Sequence, residues 1–465
     1  MSRHFDAIVV GAGQAGPSLA GRLVAAGMQV ALVERQLVGG TCVNTGCMPT
    51  KTLVASARVA HLARRAADYG VQLQGEVGID IARVMARAHA VTHSARDNLE
   101  QWLGGMRGLT LLRGHARFEA PQRLRVGEEC ISAPKIFLNV GGRAHVPALP
   151  GVERVDYLTN TSILQLQDVP RHLVVIGGSY IGLEFAQIFR RLGAQVTVVE
   201  QQPRLIARED EDVSDCIRSV LEGEGVTVRT GAQCIAFAPH AQGVAVRVDC
   251  HEGAPDVLAS HVLLAMGRQP NTDDLGLEYA GIATDARGYI VVDEQLATSA
   301  AGVWALGDCN GRGAFTHTAY NDYEIVAANL LDGGQREVSQ RVPGYALYTD
   351  PPLGRVGMTE AQARASGRPL LFAKRPMTQV GRARENGETA GFMKLVADAQ
   401  THRILGAAIL GINGDEAIHG VLDLINAGQP FETLQWAVPI HPTVSELWPS
   451  VVGALRAETV DGAAA

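Results

Sequence analysis

Gly39-Gly40-Thr41-Cys42-Val43-Asn44-Thr45-Gly46-Cys47-Met48-Pro49-Thr50-Lys51 sets two cysteines where a glycine-rich turn gives way to a helical pattern, carried on by Leu53, Ala57, Ala60 and Leu62. A helix starting near Cys47 points its unpaired N–H groups and positive dipole end at that sulfur. This lowers a thiol's pKa and stabilises its thiolate. Cys42 falls on a more extended approach, freer to swing towards a solute. The pair reads as a redox disulfide with divided work: one sulfur exchanges with substrate, the other holds charge. A structural disulfide fits poorly, because nothing else in the chain speaks of an oxidising compartment. A zinc half-site also fits poorly, since no second Cys/His pair at ligand spacing follows. Cys130, Cys216, Cys234, Cys250 and Cys309 stand singly and read as ordinary core or surface residues.

At 465 residues the chain is too long for one core and divides into roughly two to four domains. With 46% hydrophobic and 19% charged residues, the composition is that of an ordinary α/β protein. A net charge of −7 gives no general attraction to nucleic acid. No apolar run approaches the ~20 residues of a membrane span. The chain runs from Met1 straight into a strand, Phe5 to Val10, without signal-peptide architecture, so the cytoplasm is the expected compartment. Among 41 basic residues only Lys51, Lys135, Lys374 and Lys394 are lysines. A lysine beside the cysteine pair therefore hints that an ammonium is wanted there.

Two stretches share one pattern. Ala7-Ile8-Val9-Val10 is a continuous apolar run, as in a buried parallel strand. Gly11, Gly13 and Gly16 follow in a GxGxxG turn, then a helix to about Ala26 with Gly27 beyond it. The strand Val30–Val33 ends in Glu34. The glycines allow a tight turn, close approach of a pyrophosphate and helix–strand packing, and Glu34 is set to accept ribose hydroxyls. The second stretch runs Leu173–Ile176, then Gly177, Gly178 and Gly182, a helix, and Val196–Val199 ending in Glu200. This duplication is the clearest internal repeat. Ser179 replaces the central glycine of the second turn. Glu200 repels a 2′-phosphate; Arg204 lies close enough to blur that preference, and NADH is the expected nicotinamide.

The cysteine segment resembles the active-site disulfide of the class I flavoprotein disulfide reductases, which include glutathione reductase, dihydrolipoamide dehydrogenase and mercuric reductase. The resemblance implies an α/β chain with two Rossmann-like domains and a C-terminal α+β dimerisation domain. It assigns 1–145 and 273–340 to FAD, 146–272 to NAD(P) and 341–465 to dimerisation. It makes Gly307-Asp308 the second FAD motif, with Asp308 on the ribityl chain. The helix opening at Thr316-His317-Thr318-Ala319 would aim its N–H groups at the anionic flavin edge. Thr41, Lys51, Gly114 and Ala116 join the FAD contacts, and Gly267 approaches the second nucleotide. Tyr180 would cover the flavin where nicotinamide docks, and Glu184 would pair with Lys51; a buried carboxylate needs such a partner.

The same resemblance places the catalytic base in Val438-Pro439-Ile440-His441-Pro442-Thr443-Val444-Ser445-Glu446. Glu446 would orient His441, which serves the disulfide of the partner subunit in a homodimer. A cis His441–Pro442 bond is expected there. Electrons would pass from NADH to flavin, then through Cys47 and Cys42 to a small-molecule or metal-ion acceptor. Gly21 stands where glutathione reductases carry a substrate-binding arginine, which argues against glutathione. The chain ends without the vicinal cysteines of mercuric reductases and begins without their CxxC metal domain. Even so, Thr41–Lys51 and Thr349–Glu360 resemble the mercuric-reductase-like branch, which includes the copper(II) reductase of bacterial reactive-chlorine resistance. Dihydrolipoamide dehydrogenase is the alternative activity. A flavin-bound redox sensor or binding module is the alternative of another class.

Overall fold

A computed structural model describes residues 2–249 and 256–457. Met1, Cys250 and the cysteine-free C-terminal tail 458–465 lie outside the described residues.

The first glycine turn sits on a five-stranded parallel sheet in the order Val303–Ala305, Lys135–Leu138, Ala7–Val10, Val30–Glu34, Leu109–Arg113. Ala7–Val10 is buried along its whole length, as its unbroken apolar run requires. The expected strand from Phe5 is interrupted. Asp6 turns aside to accept the Gln29 N–H at 2.7 Å, and Ser2–His4 pairs instead with Glu129–Ser132 in a separate sheet. The helix Gly16–Ala25 then buries Leu19, Ala20 and Leu23 against the parallel sheet.

The second turn sits on a four-stranded parallel sheet ordered Thr227–Arg229, Gln195–Val199, His172–Ile176, His261–Leu264. The two turns match at their first and last glycines. A Cβ on Gly11 would lie 2.3 Å from the Asn139 carbonyl, and one on Gly177 2.4 Å from that of Ala265. One on Gly16 or Gly182 would lie 2.0 Å from the carbonyl of Gly11 or Gly177. Only glycine fits at these crossings.

The C-terminal third builds a six-stranded antiparallel sheet: Gly344–Leu347, Leu353–Gly357, Ile404–Leu410, Phe392–Asp398, Leu370–Pro376, Arg456–Ala457. Two charges lie inside it. Arg355 and Lys394 are each 1% exposed. Arg355 reaches Glu209 at 2.5 Å and Asp210 at 3.2 Å, and Lys394 reaches Asp212 at 3.0 Å and Glu360 at 2.7 Å. Glu209, Asp210 and Asp212 stand at the opening of the helix Glu211–Gly223 in the second parallel unit, so the pairs tie that unit to the antiparallel sheet.

The helices Cys47–Arg64 and Tyr180–Arg191 pack side by side through Leu53, Ala57, Leu183 and Ala186. Further along they share one acid, with Asp350 2.6 Å from both Arg58 and Arg191. Among the described residues no helix is long and apolar enough to cross a membrane.

Candidate active site

A continuous cavity of about 1490 Å³ joins the two glycine turns and passes the cysteine pair. Its walls include Gly11, Gly13, Glu34, Thr41, Gly114 and Ala116 at one end, and Gly177, Gly178, Glu200 and Gly267 at the other. Cys42, Cys47, Lys51, Tyr180, Glu184, Asp308, Thr316, His317 and Ala319 line the stretch between.

The helix Cys47–Arg64 does begin at the second cysteine. Cys42 does not lie on an extended approach. It sits in a short helix, Gly40–Asn44, because Gly39 and Gly40 turn the chain with φ of +94° and +60°. Asn44 Nδ2 then donates to the carbonyls of Val38 and Gly40 at 2.8 and 3.0 Å and holds the turn. Both thiols are free, the reduced state of the pair. The hydrogen bond from Cys42, with further help from Thr316 and Lys51, pulls the Cys47 pKa down to about 6. The same bond and burial push the Cys42 thiol up. One sulfur carries the charge and the other the proton. The Thr316 hydroxyl lies 3.3 Å from Cys47 Sγ, a contact that the sequence does not announce.

Lys51 Nζ donates to Glu184 Oε2 at 2.8 Å, as the family resemblance implies. Glu184 is 4% exposed. Its other oxygen accepts the backbone N–H of Tyr348 at 3.1 Å, and the Tyr348 ring lies 4.6 Å from Lys51 Nζ. Sequence reasoning passes over Tyr348, since an aromatic in a strand-like run carries no mark of a site. Tyr180 stands edge-on to Phe315 and Tyr345, with centroids at 6.1 and 5.6 Å; burial pushes its phenol up to about 12.

The two carboxylates at the strand ends, Glu34 and Glu200, repeat each other. Glu34 accepts the N–H groups of Ala12 and Gln36, both at 2.8 Å. Glu200 accepts those of Gly178 at 2.6 Å and Gln202 at 2.8 Å. Each carboxylate thus pins its own glycine turn and keeps acceptor capacity at the cavity wall. Arg204, expected to blur the preference of Glu200, reaches Glu211 at 3.5 Å instead and does not line the cavity. Burial raises the Asp308 pKa while Arg268, 3.4 Å away, opposes the rise. Ala319 lies in the first turn of the helix Thr316–Leu331. The His317 imidazole bonds the Gly344 carbonyl at 2.7 Å, so the backbone of this turn is what it offers a cofactor. These bare glycine turns, acids and helix start fit two dinucleotides.

His441 is not brought to the cysteines of its own chain. Its Nδ1 is 2.7 Å from Glu446 Oε2, but its side chain is 78% exposed, before a cis bond to Pro442 on a loop that bares Val438 and Ile440.

The sequence profile of the pyridine nucleotide-disulphide oxidoreductases matches residues 5–322, and that of their dimerisation domain matches 343–452. The chain belongs to this family. It is similar to the probable pyridine nucleotide-disulfide oxidoreductase RclA of Escherichia coli strain K12, 37% identical over 95% of this chain and 97% of that one. The mercuric reductase of Bacillus cereus is 32% identical over 95% of this chain and 70% of its own length. The dihydrolipoyl dehydrogenase of Thermus scotoductus is 33% identical over 96% of each. A solved structure, the Cu(II) complex of HOCl-induced flavoprotein disulfide reductase RclA from Escherichia coli, superposes with a TM-score of 0.88 at 35% identity, covering 97% of this chain and 99% of that one. The protein is an oxidoreductase with FAD and NAD(P)H as cofactors and a redox-active cysteine pair, and its dimerisation domain makes it a homodimer.

Proposed function

We propose that the protein carries electrons from NADH through the Cys42–Cys47 pair to a metal ion or a disulfide, as an enzyme of the mercuric-reductase-like branch working in the cytoplasm. The observation that carries this is geometric: Cys42 and Cys47 line one cavity with the two glycine turns and the Lys51–Glu184 ion pair, and the Thr316 hydroxyl lies 3.3 Å from Cys47 Sγ, an arrangement that favours the thiolate on Cys47. Domain limits of 1–145 with 273–340, 146–272 and 341–465 suit the three main sheets. When bound, the flavin supplies the two-electron link between nicotinamide and the dithiol.

The chain's own residues divide the remaining work. Glu34 and Glu200 hold the two riboses, and the charge of Glu200 favours NADH over its 2′-phosphorylated form. Asp308 holds the ribityl chain. Tyr180 closes the nicotinamide side, and Lys51 keeps a positive charge beside Cys47. Thr316 donates its hydroxyl proton towards the Cys47 thiolate. Cys42 keeps its proton near neutrality, so its attack on an acceptor needs a base. His441 of a second copy, oriented by Glu446, takes that proton. A metal acceptor would be met at the thiols as substrate. The copper(II) complex of the Escherichia coli flavoprotein supports a metal acceptor.

Steady-state NADH oxidation across copper(II), mercuric ion, lipoamide and glutathione disulfide tests the reading. A metal ion should give the highest turnover, lost in Cys42→Ser. Lipoamide as the best acceptor would move the assignment to dihydrolipoyl dehydrogenase. Slow turnover with every acceptor would favour a redox sensor.

A further inference from the structure

We propose that Tyr348 is a positioning residue of the disulfide site, its ring and backbone together holding the Lys51 ammonium beside Cys47. The inference deepens the reading of Cys47 as the charge-bearing sulfur and rests on it. A lysine ends a flexible four-carbon stem, and the Lys51 side chain is 33% exposed. One hydrogen bond, to Glu184 Oε2 at 2.8 Å, fixes a single point of that stem. Tyr348 fixes the rest of the arrangement in two ways. Its ring face lies 4.6 Å from Lys51 Nζ, within the ~6 Å range where the ring quadrupole attracts a cation. Its N–H holds Glu184 Oε1 at 3.1 Å, so the carboxylate cannot rotate away with the lysine.

Tyr348 is itself anchored to both helices that carry the reacting groups. Two residues on, Asp350 takes Arg58 on the cysteine helix and Arg191 on the Tyr180 helix, each at 2.6 Å. The Asp350 backbone donates to Gln187 Oε1 at 2.7 Å and accepts from Gln187 Nε2 at 2.9 Å. A ring on so fixed a segment has little freedom to follow a drifting side chain. Burial, with Asp415, Glu184, Cys47 and Glu416 around it, pushes the Tyr348 phenol up. The ring therefore stays neutral, and its hydroxyl is not needed for the role. A tyrosine that merely filled space would leave the Lys51 charge where it is whichever apolar side chain replaced it.

The test is the pH profile of Cys47 alkylation by iodoacetamide in reduced full-length holoprotein, read peptide by peptide with mass spectrometry in a Cys42→Ser background. Tyr348→Phe keeps the face and should leave the midpoint unchanged. Tyr348→Leu, and Tyr348→Met as a variant that refills the volume without a π face, should raise it by about half a unit to one unit as Lys51 drifts away. Neither should add to the larger rise caused by Lys51→Met. The proposal is overturned if the Leu and Met variants titrate with the parent, or if their shift persists undiminished beside Lys51→Met. The profile reads the thiol alone, so its outcome holds whatever acceptor the turnover assays favour.

Discussion

Lys51 Nζ and Glu184 Oε2 meet at 2.8 Å across the seam between the helices Cys47–Arg64 and Tyr180–Arg191. One helix holds the sulfur and the other holds the residue expected to cover nicotinamide, so this ion pair joins the apolar seam and the shared Asp350 in fixing the distance between two half-reactions. Lys51→Met leaves Glu184 buried with only the Tyr348 N–H as partner, which should cost about 1–3 kcal/mol. Urea unfolding measures the loss. Glu184→Gln keeps a hydrogen-bonding group in place and should cost less; equal stability of the Lys51→Met variant and the parent would show that the pair contributes nothing.

The thiol chemistry has a defined pH window. The Cys47 pKa lies near 6 against an ordinary 9.0, chiefly through the hydrogen bond from Cys42. A lowered acid stabilises the fold above its ordinary pKa, and that stabilisation disappears as pH falls through the folded value. The thiolate absorbance of the reduced protein should therefore titrate near pH 6. Cys42→Ala removes the donor and should carry the midpoint upward. An unmoved midpoint would assign the shift to Thr316, Lys51 and the helix start instead.

Glu200 is the residue expected to separate the two nicotinamide cofactors. The parent should use NADH with a higher kcat/KM than NADPH. Glu200→Gln keeps an acceptor for the Gly178 N–H but removes the charge, and should narrow the ratio about tenfold, the equivalent of ~1.4 kcal/mol. A parent that prefers NADPH would refute the assignment.

Arg355 and Lys394 join two units rather than serve the site. Each is 1% exposed and surrounded by acids from the 209–212 turn. Arg355→Met leaves the buried Glu209 charge with only the Tyr345 hydroxyl beside it and should destabilise by about 3–5 kcal/mol, seen as an earlier unfolding midpoint. An unchanged midpoint would mean that the acids find other partners.

How much of this is written in the sequence follows from the range of each interaction. Gly11, Gly16, Gly177 and Gly182 are forced by backbone crossings within or beside one strand–turn–helix unit, and their spacing announces them. Cys47 is legible for the same reason, since the helix that helps its thiolate starts at the residue itself. Cys42 escapes such a reading because the short helix around it depends on Asn44 reaching back to Val38 and Gly40. Tyr348, Thr316 and Asp350 act across contacts that no local pattern encodes. Arg355 and Lys394 leave one trace, a charge inside an otherwise buried strand, which calls for a partner but does not name Glu209 or Glu360.

Each active site is expected to take its sulfurs from one copy of the chain and its base from another, and everything said of turnover depends on that sharing. Cys42→Ser and His441→Ala variants, each inactive towards the true acceptor as a pure homodimer, test it when mixed under conditions that exchange subunits. Hybrid dimers then contain one intact site, and activity should return to about a quarter of the parent level in an equal mixture, as two-fold symmetry dictates. A mixture that stays inactive although hybrids have formed would contradict the sharing, as would full activity in the His441→Ala homodimer.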